Sequence, residues 1–450
     1  MRIESIAVKD NLSFDDDLCN RKPTGEGLSD LVSNMSNGGV ISLDGGWGEG
    51  KTTFIKMWLD QYQEQLGASG KAIYFDAFER DYVEDPFLPI VARLLEASKT
   101  GLHNETGQKD GAAPAAKLAT GAVKAARLLA VGALKNGVAN VSGGLVTPEL
   151  IDESLQALSS KAEGGLDAAL LSQLDKYMQH DQSIREFKAA LRDWVRGYGR
   201  VVFIVDELDR CKPNFAVSLL ERLKHFFDVP GIVFVLVMNR SQLEHAVNGL
   251  YGSRINAEGY LSKFVHFFLK LPKAIGSENV ERARGFARQS LSRVGFDGSS
   301  ELDLDLTAQA LVLFDCSLRE AESLCSLIAL VRLRQRAPTG LATRLIPFLC
   351  VLRMKQRMLF ESLQANKINR KELTTVGERL APFRGSLGIV TYYHLIACFF
   401  GINDDESKAL IPEEEIQPAF TFRRNLTADY FPREPGALVV ALCRRIALVA

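Results

Sequence analysis

The run Gly45-Gly46-Trp47-Gly48-Glu49-Gly50-Lys51-Thr52-Thr53 constrains this 450-residue chain more than any other feature. It fits the pattern G-x-x-x-x-G-K-[ST]. An apolar stretch, Val40–Asp44, precedes it, and an amphipathic stretch, Thr52–Gln63, follows. A buried strand, a tight glycine loop and a helix satisfy that order. The glycines let the loop bend around an anion with backbone N–H groups turned inward. Lys51 adds a point charge at the terminal phosphates of a nucleotide, and Thr52 offers a hydroxyl to Mg²⁺. A helix opening at Lys51 aims the positive end of its dipole at the same anion. The positions from Gly45 to Thr53 are therefore expected to surround the phosphates.

Hydrolysis needs a second part, an apolar strand ending in carboxylate. Val201-Val202-Phe203-Ile204-Val205-Asp206-Glu207 supplies it. Asp206 is expected in the Mg²⁺ shell, as a Walker B aspartate is. Asp206 and Glu207 are neighbours at the end of an extended strand, so their side chains should diverge. That leaves Glu207 to polarise the attacking water as general base. Asp209 is the rival base or an orienting group. The next apolar run, Ile232–Val237, leads into Met238-Asn239-Arg240. Asn239 is the candidate to hydrogen-bond the attacking water or the γ-phosphate, with an ordinary loop asparagine as the alternative. Further on, Ser317-Leu318-Arg319-Glu320 carries a capping box, with Ser317 as N-cap and Glu320 at N3. Arg319 at that helix start is the candidate γ-phosphate sensor, with a surface ion pair as the alternative. Arg210, Arg254 and Lys263 are candidates for a finger acting on a neighbouring subunit.

Five apolar runs read as buried strands: Val40–Asp44, Ala72–Phe75, Val201–Val205, Ile232–Val237 and Val265–Leu271. Continuous Val/Ile/Phe runs mark strands covered on both faces, and helical patterns separate them. The expected fold is α/β, a doubly wound and mostly parallel sheet. Residues 101–165, rich in Ala, Gly, Lys and Ser, read as a helical insertion in a domain of residues 1–275. Residues 276–450 read as a mainly α-helical region for regulation or partner binding, with helices at Leu318–Leu333, Ala342–Leu363 and Leu387–Ile402. The tail after 412 gives no assignable pattern. Lys plus Arg is 54 against 55 for Asp plus Glu, a net charge of −1, which excludes a globally basic nucleic-acid coat. The 7 cysteines include no C-x-x-C pair, so a reducing compartment is favoured over a disulfide framework. The first residues are too acidic for a secretory signal, and a cytoplasmic protein is expected.

The segments GGWGEGKTT, IYFDAFERDYVEDPF, IVDELDRCKP and YLSKFVHFFLKLP together resemble the KAP family of P-loop NTPases, over Gly39 to Pro272. The resemblance implies an additional-strand P-loop fold, with one strand between the Walker A and Walker B strands. It also implies ATP-driven switching of a signalling type, close to the AAA+ and STAND groups. Many bacterial members act in defence against phage. Two departures stand out. The family's third strand often ends in two aspartates, and here the second is Glu207. Many members carry transmembrane helices within the domain, whereas Lys117, Lys124, Arg127 and Lys135 interrupt the insertion here. A spanning helix needs about 20 apolar residues, and Leu128–Leu134 falls far short. As a helix, residues 113–141 would carry a basic stripe, because the spacings of Lys117, Lys124 and Lys135 return to nearly the same direction. Such a helix would rest on the inner membrane face, dock on a partner, or pack on its own domain. The arginines at 332, 334, 336, 344, 353 and 357, with Lys355, suit a nucleic-acid groove or a solvated helix face.

The sequence thus reads as an ATP-binding and ATP-hydrolysing P-loop switch with Mg²⁺ as cofactor, acting as a homo-oligomer or on a partner protein. ATP is preferred to GTP because no N/T-K-x-D base-reading motif follows the later strands. A nucleotide-gated assembly scaffold and a nucleic-acid-remodelling ATPase are the alternatives. One prediction needs only the sequence. Lys51→Ala should abolish tight ATP–Mg²⁺ binding in calorimetry, and unchanged affinity in a folded variant would sink the P-loop assignment.

Overall fold

The computed structural model describes residues 13–67, 70–99, 116–121, 166–226, 228–276, 280–296, 300–333, 344–367, 370–383, 386–400, 405–429 and 435–449. Contacts divide the chain into two compact units. The described residues within Met1–Asp15, Arg21–Gly45 and Lys51–Leu271 form the first. Those within Asp16–Asn20, Gly46–Gly50 and Pro272–Ala450 form the second.

The first unit is built on a sheet of five strands, β1 (Gly39–Asp44), β2 (Lys71–Asp76), β3 (Val201–Asp206), β4 (Ile232–Met238) and β5 (Phe267–Lys270). Their order is β2-β3-β4-β1-β5 and every pairing is parallel. β4 therefore separates β1 from β3, as the family resemblance implies. β3 and β4 are buried along their whole length. Their residues alternate between two cores, Val201, Phe203 and Val205 facing one and Val202 and Ile204 the other. This is why the runs lack polar alternation: both faces are covered. Helices α1 (Lys22–Asn34) and α2 (Lys51–Leu66) cover one face, with Leu28, Val32, Phe54 and Trp58 in that core. Helices α3 (Phe87–Lys99), α4 (Leu166–Tyr198) and α5 (Pro213–Phe226), with α6 (Arg240–Tyr251) and α7 (Ala257–Leu261), contribute to the other. There Phe203 lies between Phe75 and Phe234, with centroids 5.9 and 5.5 Å away. The register sets Asp44 opposite Met238 and Asp76 opposite Asp206, so the strand-end carboxylates share one edge of the sheet. Ligands of open α/β sheets bind at this carboxyl edge.

β5 is shorter than Val265–Leu271. Val265 is buried before the strand, and only Phe267–Lys270 pair, as a short exposed edge. α4 is long, 33 residues from Leu166 to Tyr198. Its Phe187, Leu191, Trp194 and Val195 recur at helical spacing and are buried. A helical segment at 116–121, from the expected insertion, lies against α4. Leu118 is buried, and a Cβ on Gly121 would stand 3.3 Å from the Phe187 Cα. This part of the insertion packs on its own domain. Lys117 is exposed there, while Lys124, Arg127 and Lys135 lie outside the described residues.

The second unit is helical: α8 (Val280–Arg293), α9 (Glu301–Leu313), α10 (Leu318–Leu333), α11 (Ile346–Lys355), α12 (Arg357–Gln364), α13 (Arg370–Leu380), α14 (Leu387–Phe399), α15 (Asp405–Leu410), α16 (Glu413–Asp429) and α17 (Pro435–Val449). The single helix expected over Ala342–Leu363 is in fact α11 and α12. The chain turns at Gln356, φ −136° and ψ 59°, which lets Leu359, Phe360 and Leu363 join a core already filled by residues 346–352. The unassigned tail folds as α16 and α17, and α17 buries Val439, Leu442, Cys443 and Ile446 along one face. Among the described residues no helix is long and apolar enough to cross a membrane. Arg334 and Arg336 lie outside the described residues.

Arg332 of α10 is not part of a solvated face. It grips Asp303 of α9 through two hydrogen bonds of 2.7 Å, with side chains 11% and 16% exposed. Burial pushes the Asp303 carboxyl up, but the Arg332 fork and Ser300 outweigh it and hold it below the ordinary value. Stability from this pair is therefore complete above the ordinary carboxylate pKa of about 3.9 and lost as pH falls through the lowered folded value. Arg332→Ala should destabilise the chain by about 2 kcal/mol at pH 7 in urea denaturation, the range for losing hydrogen bonds to a partly buried charge. The gap to wild type should close below about pH 4, and a gap that persists to lower pH would contradict this account.

Candidate functional site

In the first unit, β1 delivers the chain to Gly45, whose N–H donates to the Met238 carbonyl at 3.2 Å. α2 starts at Lys51. The Lys51 ammonium donates to the Gly45 carbonyl at 2.8 Å and lies 4.0 Å from the Asp209 carboxylate, whose side chain is 2% exposed. Asp209, the rival base, thus faces the lysine of the loop. Thr52, next on α2, donates its hydroxyl to Glu207 Oε1 at 3.2 Å and lies beside the Asp206 carboxylate. Thr53 is half-buried in the same turn.

Asp206 ends the fully buried β3 and is itself 1% exposed. Its Oδ1 accepts the Glu207 N–H at 2.8 Å and its Oδ2 accepts the Tyr74 hydroxyl at 2.9 Å. Burial pushes its pKa up, while the bonds from Thr52, Tyr74 and the Glu207 N–H oppose that. Burial followed by the charge of Asp206 raises the Tyr74 phenol, so it stays a donor at working pH. Burial also raises Glu207, with Arg210 opposing and Asp206 reinforcing.

Glu207 differs from expectation in its backbone. It is not on an extended strand end; β3 stops at Asp206, and Glu207 has φ 59° and ψ 26°. For a non-glycine residue that left-handed conformation costs about 1–2 kcal/mol. It turns the side chain back, so the two carboxylates converge on Thr52 instead of diverging. The short turn Leu208–Arg210 follows, with the Arg210 N–H bonded to the Glu207 carbonyl at 3.1 Å and the Arg210 guanidinium paired with the Glu207 carboxylate. Arg210, read as a finger for a neighbouring subunit, is engaged within its own chain.

Asn239 caps α6. Its Oδ1 accepts from the Gln242 N–H at 3.4 Å and the Ser241 hydroxyl at 2.8 Å, which leaves its amide NH₂ as the group for other partners. Arg254 is exposed, and the Lys263 ammonium lies 5.6 Å from the centre of the Tyr260 ring.

The tip of the glycine loop, Gly46–Gly50, groups with the second unit. Gly48 and Gly50 both have φ +77°, the left-handed backbone that the glycines permit. A Cβ on Gly48 would also meet Ser317 Oγ and Arg319 Cβ at 2.9 Å. The Arg319 N–H donates to the Gly48 carbonyl at 3.2 Å. The Glu49 N–H closes a turn on the Gly46 carbonyl at 3.4 Å. Trp47 is 52% exposed and Glu49 is buried. The capping box at Ser317 and Glu320 forms, and the Arg319 side chain is exposed.

Two residues escaped sequence reasoning, Tyr74 and Asp76, both on β2. An apolar run closing in Asp, as β3 does, was the available signal, but only the pairing of Asp76 with Asp206 gives it meaning. The donor set suits magnesium. A hydroxyl that donates to a carboxylate keeps its two lone pairs for a cation, and the buried Asp206 carboxylate supplies charge beside it.

The solved structures with which the chain aligns include three at low identity. It is similar to the ORC2 protein of Aeropyrum pernix, solved as ADPNP-ADP complexes, at 13% identity, covering 98% of this chain and 97% of that one with a TM-score of 0.38. It is similar to a Walker-type ATPase of Pyrococcus abyssi at 11% identity, covering 97% and 98% with a TM-score of 0.36. It is similar to the Aeropyrum pernix ORC1 protein in complex with DNA at 14% identity, covering 99% and 86% with a TM-score of 0.36. No curated protein matches the sequence. The KAP family P-loop domain matches residues 21–320, from α1 through the loop, the whole sheet and on to the start of α10. With its glycine loop, buried strand-end carboxylate and interposed β4 in place, this chain belongs to the KAP family of P-loop NTPases.

Proposed function

We propose that the chain is a magnesium-dependent ATPase that works as a switch. The observation that carries this is the position of the Thr52 hydroxyl, which donates to Glu207 one residue after Lys51 and lies beside the buried Asp206 carboxylate. Lys51 holds the β- and γ-phosphates. Thr52 and Asp206 hold Mg²⁺, which when bound neutralises charge on the phosphate oxygens. Glu207 accepts the proton of the attacking water. Burial raises its pKa, which makes it a stronger base, and the charge of Arg210 opposes that rise. The Asn239 amide orients that water. The family resemblance supports a role in bacterial signalling or defence against phage, in the cytoplasm, with a second copy or another protein as partner. A nucleotide-gated scaffold is the second reading. It is favoured by the Arg210 pair, which already engages the proposed base.

Removing a general base typically slows a reaction about 10²–10⁴-fold. Glu207→Gln should keep ATP affinity, lose turnover to that extent and accumulate the ATP-bound form. Asp206→Asn should weaken the Mg²⁺-dependent part of binding. Normal hydrolysis by Glu207→Gln with loss in Asp209→Asn would move the base to Asp209. Unchanged phosphate release in all three variants would leave the scaffold.

A further inference from the structure

We infer that Tyr74 is a positioning residue for the magnesium site, its hydroxyl fixing the Asp206 carboxylate in the orientation that serves the metal. This rests on the reading of Asp206 as a metal ligand. Tyr74 pairs with Ile204 in the β2–β3 register, two residues before the Asp76–Asp206 pair. Its ring therefore reaches along the strand direction, and the hydroxyl meets Asp206 Oδ2 at 2.9 Å. The other oxygen, Oδ1, is held at 2.8 Å by the Glu207 N–H. A carboxylate has about four lone-pair sites. One donor on each oxygen fixes the plane of the group and leaves sites on both oxygens, with the Thr52 hydroxyl beside it.

The tyrosine is itself held on two sides. The Arg93 Nε–H donates to the Tyr74 carbonyl at 2.8 Å. The Lys56 ammonium lies 5.2 Å from the centre of its ring. Lys56 follows Thr52 by one turn of α2 and shares its face. The same helix face thus carries the hydroxyl for the metal and the cation over the tyrosine. Outer-sphere hydrogen bonds of this kind orient ligands, and losing one typically lowers metal affinity about 10–100-fold.

The test is Tyr74→Phe, which keeps the ring and removes only the hydroxyl. ADP binding is measured by calorimetry over a series of MgCl₂ concentrations, alone and in an Asp206→Asn background. The Mg²⁺ midpoint should rise about 10–100-fold in the single variant. ADP affinity in EDTA should match wild type, and the melting temperature should fall by a few degrees, because buried Asp206 loses one donor. In the Asp206→Asn background the same change should add nothing, because the hydroxyl acts through that carboxylate. A wild-type midpoint in Tyr74→Phe overturns the role of Tyr74 and leaves Asp206 standing. An equal rise in both backgrounds shows a purely structural effect and overturns it too. Wild-type binding that ignores Mg²⁺ overturns the role of Asp206, and that of Tyr74 with it.

Discussion

The structure turns on one carboxylate that folding removes from water. β3 is covered on both faces and flanked by β2 and β4, so the residue at its end has almost no contact with solvent. A buried charge is costly unless hydrogen bonds replace water. Asp206 obtains two donors, the Tyr74 hydroxyl on β2 and the N–H of Glu207, and the Thr52 hydroxyl on α2 lies beside it. Meeting that need fixes the geometry of the site. α2 must begin where Thr52 reaches the strand end, β2 must lie beside β3, and the chain must turn sharply after Asp206. The left-handed Glu207 is that turn, and it brings the second carboxylate to the same hydroxyl.

Much of this was legible in the residues because the signals were redundant. The glycine loop, the apolar runs on either side of the site and the carboxylate after VVFIV each pointed to the same fold. Four of the strands fell within a residue or two of the apolar runs, since burial on both faces leaves few polar interruptions. What was not legible depended on backbone turns and on pairing between distant strands. Nothing local in Asp206-Glu207-Leu208 announces φ 59°, and reading two neighbours as an extended pair sent their side chains apart. Tyr74 acquires its role only when β2 is placed beside β3 in register. The helical region was harder for another reason. The pattern over Ala342–Leu363 is continuous, yet the chain breaks at Gln356, φ −136° and ψ 59°, and the residues on both sides of the break enter one core. α16 contains Pro418 and opens with three acidic residues, which disguised it as an irregular tail.

The Gly48 environment shows how a phosphate-binding loop is constrained beyond its motif. Its φ of +77° already excludes most side chains. The approach of Ser317 and Arg319 excludes them a second time, now through packing at the start of α10. The family match, which runs to residue 320, takes in this helix start together with the loop. Conformational freedom and close packing therefore ask for glycine at the same position.

The account holds that Lys51, Thr52, Asp206 and Glu207 form one hydrolytic centre that works only through magnesium. The most direct measurement is inorganic phosphate release from ATP by the purified chain, with MgCl₂ and with EDTA. The account predicts sustained release with MgCl₂ that stops on chelation. ATP bound in the presence of MgCl₂ without any release, or release that is indifferent to chelation, would contradict it.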